Sequence, residues 1–329
     1  MPLQDDLCLA VVGATGAIGR DLVELLHERG FSSAVLKLFA TEASAAAPLE
    51  IAGTDHPVSE FAGPHDLSGF DVAFLAVPSD LAAEIRQAKP GPILIDLSAA
   101  NRAPSGDVPL VAPGQTQAKD IVALKSGGIF EVPHPAAQAV ASILTALGGD
   151  AAVTAVTVML GASTRGRTEV EHLIEQSAEL LNARLDIGEE EHQLAFNVDL
   201  NENPSCLSDV IAAQTACLLK ERLRSIPVQV VNVPVLHGIA ITMFFSLSRV
   251  AGRNEWLEKL RLAPGLILVA KGAQSALASA IGQEALLVSG TPTDAGGSIF
   301  CVLDNTRRTA LGAVWILENL ASGLGGAMN

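Results

Sequence analysis

Residues 9–27 read LAVVGATGAIGRDLVELLH, and they predict a strand, a glycine-rich turn and a helix in succession. The apolar pair Val11 and Val12 leads into the turn, which carries glycines at every third position. After the turn, Leu22, Leu25 and Leu26 recur at helical spacing, so that one stripe of the predicted helix is apolar. A strand, a glycine turn and a helix in this order are typical of a nucleotide-binding fold.

Each glycine of the turn has its own physical role in such a fold. Gly13 allows the tight turn, Gly16 removes a side chain where a pyrophosphate approaches the backbone, and Gly19 lets the helix pack closely on the strand. The helix N-terminus adds free N–H groups and the positive end of the helix dipole. We therefore predict a dinucleotide site, although the same glycines also suit a tight turn without a ligand. The predicted contacts are Gly13, Ala14, Thr15, Gly16, Ala17, Ile18 and Gly19.

The choice between NAD and NADP depends on the turn after the second predicted strand, residues 34–40. An acidic group near the adenosine ribose suits NAD, and a basic group suits the 2′-phosphate of NADP. The turn reads TEASAAA, in which Glu42 and Ser44 are the candidate contacts and favour opposite nucleotides. The sequence leaves both cofactors open, and it also leaves open a solvated loop with no contact.

Composition excludes several classes of partner. The 329 residues suffice for two domains, and the formal net charge of −15 argues against nucleic acids and anionic membranes. No apolar run has the length of a membrane span and no secretory signal precedes residue 9, so we expect a cytoplasmic protein. The four cysteines lie far apart without a CxxC pair, so we expect reduced thiols and no metal site.

Strands and helices alternate over the first 132 residues. Strands are predicted at 71–77, 92–97 and 127–132, and Ser79 is predicted to cap a helix that runs to residue 89. This order predicts a doubly wound α/β sheet with parallel strands. The turn-rich stretch from Ser98 contains Arg102, and loops of this kind, beyond the carboxyl ends of the strands, bind ligands.

The second half of the chain predicts a different sheet. Long strands at 153–160, 228–235 and 239–250 favour a second α/β domain with a mixed sheet, of the kind that often forms a dimer surface. We predict a dinucleotide-binding domain over 1–131, a substrate and dimerisation domain over 132–304, and a C-terminal helix over 305–329 that returns to the first domain. Further helices are predicted at 169–183 and 207–222, and further strands at 285–289 and 298–303.

Several motifs resemble the aspartate-β-semialdehyde dehydrogenase family, and they are spread over nearly the whole chain. They are VVGATGAIGRDLVELLHERGF, DLSAANRAPSGDVPLVAP, FNVD, VNVPVLHG and DNTRRTALGAV. The resemblance implies a Rossmann-like domain, a second domain that forms a homodimer, NADP as cofactor and reversible reductive dephosphorylation of an acyl phosphate. It also implies that Arg102 binds the phosphate of a small anionic ligand.

Two positions depart from the pattern of the family at its catalytic residues. The family's nucleophilic cysteine falls on Pro135, and its catalytic histidine falls on Ile239. His134 and His237 are the nearest substitutes, and we interpret them first as a helix cap and a structural histidine. These departures resemble the Usg-type branch of the family.

None of the four cysteines is predicted to replace the missing thiolate. Cys8, Cys217 and Cys301 are predicted to be buried in a strand, a helix and a strand. Cys206 is the one cysteine predicted to be exposed, and no basic residue beside it in the sequence would activate it.

Three hypotheses follow from the sequence. The first is a dimeric family member that keeps the dinucleotide-binding domain and cannot catalyse phosphorylating aldehyde oxidation. The second is a nicotinamide-dependent reductase of another carbonyl substrate, with His134 or His237 as proton donor. The third is a non-catalytic partner or regulatory subunit of an active relative.

Overall fold

The computed structural model describes residues 7–31, 35–45, 47–117, 121, 128–149, 151–182, 192–200, 206–220, 226–248, 255–270, 276–293 and 295–325. The chain divides into two compact units. Unit 1 comprises residues 1–135 and 307–329, and unit 2 comprises residues 136–306. Unit 2 is therefore inserted into the sequence of unit 1.

Unit 1 contains a six-stranded sheet in which every paired strand is parallel. The strand order is β5-β2-β1-β6-β7-β8, and a separate antiparallel pair, β3 and β4, follows β2 in the chain. This sheet confirms the predicted doubly wound α/β fold. The strands are β1 Leu9–Val12, β2 Leu36–Ala40, β3 Leu49–Ile51, β4 Thr54–His56, β5 Val58–Glu60, β6 Val72–Leu75, β7 Ile93–Asp96 and β8 Ile129–Glu131.

Helices pack on both faces of this sheet because successive side chains of a buried strand point to opposite faces. Leu9 and Val11 of β1 belong to one core, which includes α1 (Ala17–Glu28) and the C-terminal helix α8 (Asn305–Gly325). Ala10 and Val12 belong to the other core, which includes α3 (Ser79–Ala88). The short α2 (Glu42–Ala45) and 3-10 helices at Pro64–Leu67 and Ser98–Asn101 complete the described elements of unit 1.

Unit 2 is built on a seven-stranded mixed sheet, as predicted, with the order β10-β11-β9-β12-β15-β14-β13. β9 pairs parallel with β11, whereas β12 pairs antiparallel with both β9 and β15. The strands are β9 Ala151–Leu160, β10 Asp199–Leu200, β11 Val228–Asn232, β12 Ile239–Leu247, β13 Leu266–Leu268, β14 Leu286–Thr293 and β15 Gly296–Leu303. The helices are α4 Pro135–Leu147, α5 Arg167–Leu181, α6 Leu207–Leu218 and α7 Glu255–Leu262, with 3-10 helices at Ala162–Arg165 and Leu277–Ser279.

The C-terminal helix supplies much of the core of unit 1. Ala310, Ala313, Val314 and Leu317 are fully buried in the same cluster as the apolar side of α1. At its N-terminal end, the Arg307 guanidinium lies 2.6 Å from a Glu28 carboxylate oxygen on α1. The first and last helices of the chain are thus packed together within one unit.

The structure corrects several details of the sequence-based predictions. Pro78 rather than Ser79 is the N-cap of α3, so Ser79 lies inside the helix and does not cap it. The turn after β2 contains the short helix α2. His237 lies in the loop before β12. The β3–β4 pair, α7 and β13 were not predicted. Across the described ranges, no helix has the length and hydropathy required to traverse a lipid bilayer.

Candidate functional site

The glycine turn after β1 depends on two close backbone approaches. Gly13 has a φ of +87°, and a Cβ built there would lie 2.2 Å from the carbonyl oxygen of Ala76. A Cβ built on Gly19 would lie 2.1 Å from the carbonyl oxygen of Gly13. Both positions therefore require glycine for packing alone, whether or not a nucleotide binds.

Gly16 differs from the other two glycines because its Cβ would meet only the Gly13 carbonyl oxygen, at 3.4 Å. It is the N-cap of α1, and it is exposed. No side chain caps this helix end and no acidic residue lies in its first turn. The surface at Gly16 thus offers backbone donors and open space, which are the features that a pyrophosphate needs.

The remaining predicted contact residues of the turn differ in how far they are buried. Ala14 is fully buried, Thr15 and Ile18 are half-buried, and Ala17 is exposed at the start of α1. The carbonyl oxygen of Thr15 accepts a hydrogen bond of 3.0 Å from Arg20 Nε. Ala14 therefore packs in the interior, whereas Thr15, Ala17 and Ile18 lie at the surface of the turn.

Glu42 and Ser44 are both exposed on α2, directly after β2. The hydroxyl of Thr41 donates to the Ser44 hydroxyl over 3.2 Å, which ties the two ends of this turn together. Residues 41–48 read TEASAAAP and contain no lysine or arginine. The only formal charge of this segment is the Glu42 carboxylate.

A cluster of four charged side chains lies at the carboxyl ends of β7 and β8. Asp96 and Glu131 are the last residues of these strands and face each other in the sheet register. Arg86 Nη1 lies 3.1 Å from a carboxylate oxygen of each. Arg102 Nη2 lies 2.8 Å from Asp96 Oδ2 and also donates to Glu131 Oε1.

Arg102 is therefore bound to two carboxylates of its own chain. Its Nη1 donates to the Ser98 hydroxyl over 3.3 Å, and Ser98 in turn donates to Asp96 Oδ1. Partial burial acts to lower the pKa of Arg102, but the hydrogen bonds of Glu131 and Asp96 and their negative charges raise it above its ordinary value. The Arg102 guanidinium is thus permanently charged, and the carboxylates of Asp96 and Glu131 balance its charge.

Pro135 is the first residue of α4, and His134 precedes it in the interior. Proline suits the first turn of a helix because its missing N–H has no partner there. Burial lowers the pKa of His134 to about 4, so its imidazole is neutral at neutral pH. A neutral imidazole does not attract an anion, and His134 therefore does not provide a cationic site.

In unit 2, His237 lies beside the buried carboxylate of Asp304. His237 Nε2 is 3.0 Å from Asp304 Oδ1, and the Thr306 backbone and hydroxyl donate to the same oxygen. The other oxygen of Asp304 accepts a hydrogen bond of 2.9 Å from Gly282 N. Asp304 is thereby fixed, and it orients the imidazole of His237, which keeps 30% of its side chain exposed.

Ile239 lies two residues after His237 and is fully buried at the start of β12. Between them, Gly238 has a φ of +98°, and its N–H donates to Asn305 Oδ1 over 3.0 Å. The Ser163 hydroxyl donates to the same amide oxygen, also over 3.0 Å. This loop is thus held by Asp304 and Asn305 at the start of α8, while Ile239 contributes only apolar packing.

The structure overturns two of the predictions for cysteines. Cys8 precedes β1 and is exposed, because the buried part of the strand begins at Leu9. Cys217 is also exposed, since the side of α6 that carries Gln214 and Leu218 faces the interior instead. The buried placement of Cys301 and the exposed placement of Cys206 are confirmed. None of the four cysteines lies on α4.

The comparisons with known proteins agree with this architecture. Residues 9–122, which span the glycine turn and the charged cluster except Glu131, match the family model "Semialdehyde dehydrogenase, NAD binding domain". This part of the chain is therefore similar to the NAD-binding domain of semialdehyde dehydrogenases. The chain is 29% identical to a USG-1 protein homolog of Pseudomonas aeruginosa, over 97% of this chain and 98% of that protein. It is 26% identical to an aspartate-semialdehyde dehydrogenase of Aquifex aeolicus, over 95% and 97% of the two chains.

Solved structures of semialdehyde dehydrogenases have the same fold. A probable aspartate-semialdehyde dehydrogenase from Pseudomonas aeruginosa superposes with a TM-score of 0.79 at 28% identity, covering 95% of this chain and 98% of that one. Aspartate semialdehyde dehydrogenase II from Vibrio cholerae gives a TM-score of 0.81 at 24% identity, covering 96% and 98%. The second of these likenesses concerns the fold alone.

The residues that surround Arg102 and His237 were not predicted from the sequence. They are Arg86, Asp96 and Glu131 around Arg102, and Asp304 beside His237. Glu131 lies at the end of a predicted strand, and a charged residue at the end of a buried strand was an available signal. The link between His237 and Asp304 spans 67 residues and has no such local signal.

The buried imidazole of His134 predicts a specific dependence of stability on pH. The unfolded chain takes up a proton near pH 6.5, whereas folded His134 does so only near pH 4. Its contribution to the free energy of unfolding therefore falls as the pH decreases from 6.5 to 4, by roughly 3 kcal/mol, and levels off below pH 4. Denaturant unfolding of the wild type and His134→Gln between pH 4 and 7.5 measures this difference. His172→Gln, at an exposed position on α5, is the control, and parallel curves for wild type and His134→Gln would contradict the assignment.

Proposed function

We propose that the chain is a dinucleotide-binding homologue of aspartate-semialdehyde dehydrogenase that does not catalyse phosphorylating aldehyde oxidation. The observation that carries this proposal is the start of α4. The resemblance places the catalytic nucleophile at this helix N-terminus, and the residue there is Pro135. All four cysteines lie elsewhere: before β1, at the N-cap of α6, on α6 and in β15.

Loss of the thiol removes the covalent route of the reaction. Phosphorylating oxidation of an aldehyde proceeds through a thiohemiacetal and a thioester, and both require a sulfur nucleophile. Proline offers no nucleophile, and the neighbouring His134 is buried and neutral. Ile239, at the position that the resemblance gives to the acid/base histidine, has no proton to exchange. Two independent positions thus support the same conclusion.

An assay of the purified protein with aspartate semialdehyde, phosphate and either NAD or NADP tests this proposal. We expect no reduced nicotinamide above the enzyme-free rate, because no thiolate is available for the first step. The aspartate-semialdehyde dehydrogenase of Aquifex aeolicus serves as the active control. Phosphate-dependent turnover by this chain would overturn the proposal, and single Cys→Ser variants would then locate the thiol responsible.

For the cofactor, we propose NAD in preference to NADP. The glycine turn fits a pyrophosphate at Gly16, and no part of this fit depends on the 2′ position of the ribose. The segment after β2 carries Glu42 and no basic residue. A carboxylate can accept hydrogen bonds from a free 2′-hydroxyl and repels a 2′-phosphate.

Calorimetric titration with NAD and NADP measures this preference, and two glycine variants separate binding from folding. Gly16→Ser is expected to weaken binding of NAD at least tenfold while leaving the melting temperature unchanged or higher, because serine is a good N-cap and its Cβ has room. Gly19→Ala is expected to lower the melting temperature, since its Cβ would clash with the Gly13 carbonyl. Tighter binding of NADP than of NAD would contradict the assignment of Glu42.

The pairing of His237 with Asp304 favours a second candidate function, reduction of a carbonyl compound without covalent catalysis. A bound reduced nicotinamide supplies the hydride in such a reaction. His237 would supply the proton to the carbonyl oxygen, and the fixed Asp304 carboxylate would stabilise the imidazolium and orient its ring. This function needs no thiol, so Pro135 does not exclude it.

Reduction of a panel of aldehydes and ketones by NADH or NADPH tests the second candidate. We expect His237→Gln to lower kcat about 10²-fold or more if His237 donates the proton. His172→Gln, an exposed substitution, controls for the loss of an imidazole. Unchanged turnover in His237→Gln, or no turnover of any carbonyl by the wild type, would eliminate this function.

We also propose that the chain forms the homodimer that the resemblance implies. One face of the mixed sheet supports it: Phe244 on β12 is 50% exposed and pairs in register with Ala155 on β9 and Ser298 on β15. A sheet face with an exposed aromatic side chain beside half-buried small residues suits self-association. Light scattering of the intact protein would give a mass near twice that of the 34.0 kDa chain.

A further inference from the structure

Asp96 and Glu131 place two carboxylates side by side in the interior of unit 1. They end adjacent parallel strands, and their exposed fractions are 0% and 1%. Two neighbouring buried anions are strongly unfavourable unless cations lie between them. The sheet can therefore hold this pair only together with Arg86 and Arg102.

The two arginines neutralise the pair completely. Arg86 reaches it from α3, and Arg102 reaches it from the segment after the 3-10 helix Ser98–Asn101. Each guanidinium contacts both carboxylates, so the four side chains carry two positive and two negative charges. The cluster has no net charge to attract a further anion.

The contacts of Arg102 resemble those that an arginine makes with a bound phosphate or carboxylate. Its Nη2 is shared between Asp96 and Glu131, and its Nη1 donates to Ser98. Asp96 is itself held by the backbone N–H and hydroxyl of Ser98, at 2.9 and 2.7 Å, as part of the local turn. Glu131 comes from the neighbouring strand, 29 residues away in sequence. Glu131 is therefore the carboxylate that binds Arg102 from outside the loop that contains Arg102.

We propose that Glu131 is a resident carboxylate that occupies the anion site of Arg102, so that this site takes uncharged ligands and excludes phosphorylated or carboxylated ones. A ligand anion would have to displace Glu131 from Arg102 and leave this buried carboxylate with Arg86 as its remaining cation, which is unfavourable in the interior. The inference rests on the proposed function in one respect, namely that unit 1 binds a ligand, and it places that ligand beyond the carboxyl ends of the parallel strands.

The decisive variant is Glu131→Gln, which keeps the shape of the side chain and removes its charge. The cluster then carries a net charge of +1, and Arg102 can accept an external anion. Titration with inorganic phosphate at constant ionic strength, followed by calorimetry, is expected to show at least tenfold tighter binding by Glu131→Gln than by the wild type. Adding Arg102→Met to this variant is expected to abolish the gain.

Two controls isolate the effect of this one carboxylate. Glu84→Gln removes an acidic charge from an exposed position on α3 and is expected to leave phosphate binding at the wild-type level. Glu131→Asp keeps the charge and is also expected to show no gain. If Glu84→Gln gained as much phosphate binding as Glu131→Gln, the gain would come from the change in net charge alone. That result would overturn the proposal.

The wild type decides the proposal even if Glu131→Gln fails to fold. Phosphate binding by the wild type that Arg102→Met abolishes would show that Glu131 does not exclude anions, and the inference would be wrong. Absence of that binding supports it. Titration of the same variants with NAD distinguishes this inference from the proposed function. If Glu131→Gln gains phosphate binding but no variant binds NAD, the inference is supported and the proposed function is not.

Discussion

The close approach of α1 to β1 is the constraint on which unit 1 depends. The helix packs so tightly on the turn that a single carbon atom on Gly19 would overlap the Gly13 carbonyl, and Gly13 itself has a backbone conformation that favours glycine. This contact sets the start of α1 and its direction. It also leaves the first N–H groups of the helix beside the exposed Gly16, where no side chain occupies them. The packing of α1 and the proposed binding of a nucleotide therefore depend on the same short turn. Of its three glycines, Gly16 is the one at which a substitution would affect binding without disturbing the packing.

Two of the predicted site residues, Arg102 and His237, have charged partners within the chain. Arg102 is neutralised by Asp96 and Glu131, and Asp304 is held by His237, Thr306 and Gly282. Proline and isoleucine at positions 135 and 239 need no polar partner at all. A buried charge that lacks a partner is strongly destabilising, so a charge that already has its partners does not need a ligand to balance it. In both of these groups the charges are balanced by residues of the chain itself.

The sequence predicted those features that local spacing determines. The glycine turn before α1 and the alternation of apolar strands with helices both depend on neighbours in the chain, and the structure has them as predicted. The partners of Arg102 and His237 could not be predicted in the same way, because Glu131 and Asp304 reach them only through strand pairing and packing. The exposure of Cys8 and Cys217 was mispredicted for a related reason, since apolar neighbours do not reveal which side of an element faces solvent.

The C-terminal helix has a consequence for how the chain folds as it is made. Ala310, Val314 and Leu317 complete the core that β1 and α1 begin some 300 residues earlier. Ala310, Val314 and Leu317 must therefore leave the ribosome before that core can close, although domains usually fold in the order of their synthesis. Unit 2, which is continuous in sequence, has no such delay. Until these residues of α8 have been synthesised, β1 and α1 expose an apolar surface that chaperones would have to protect.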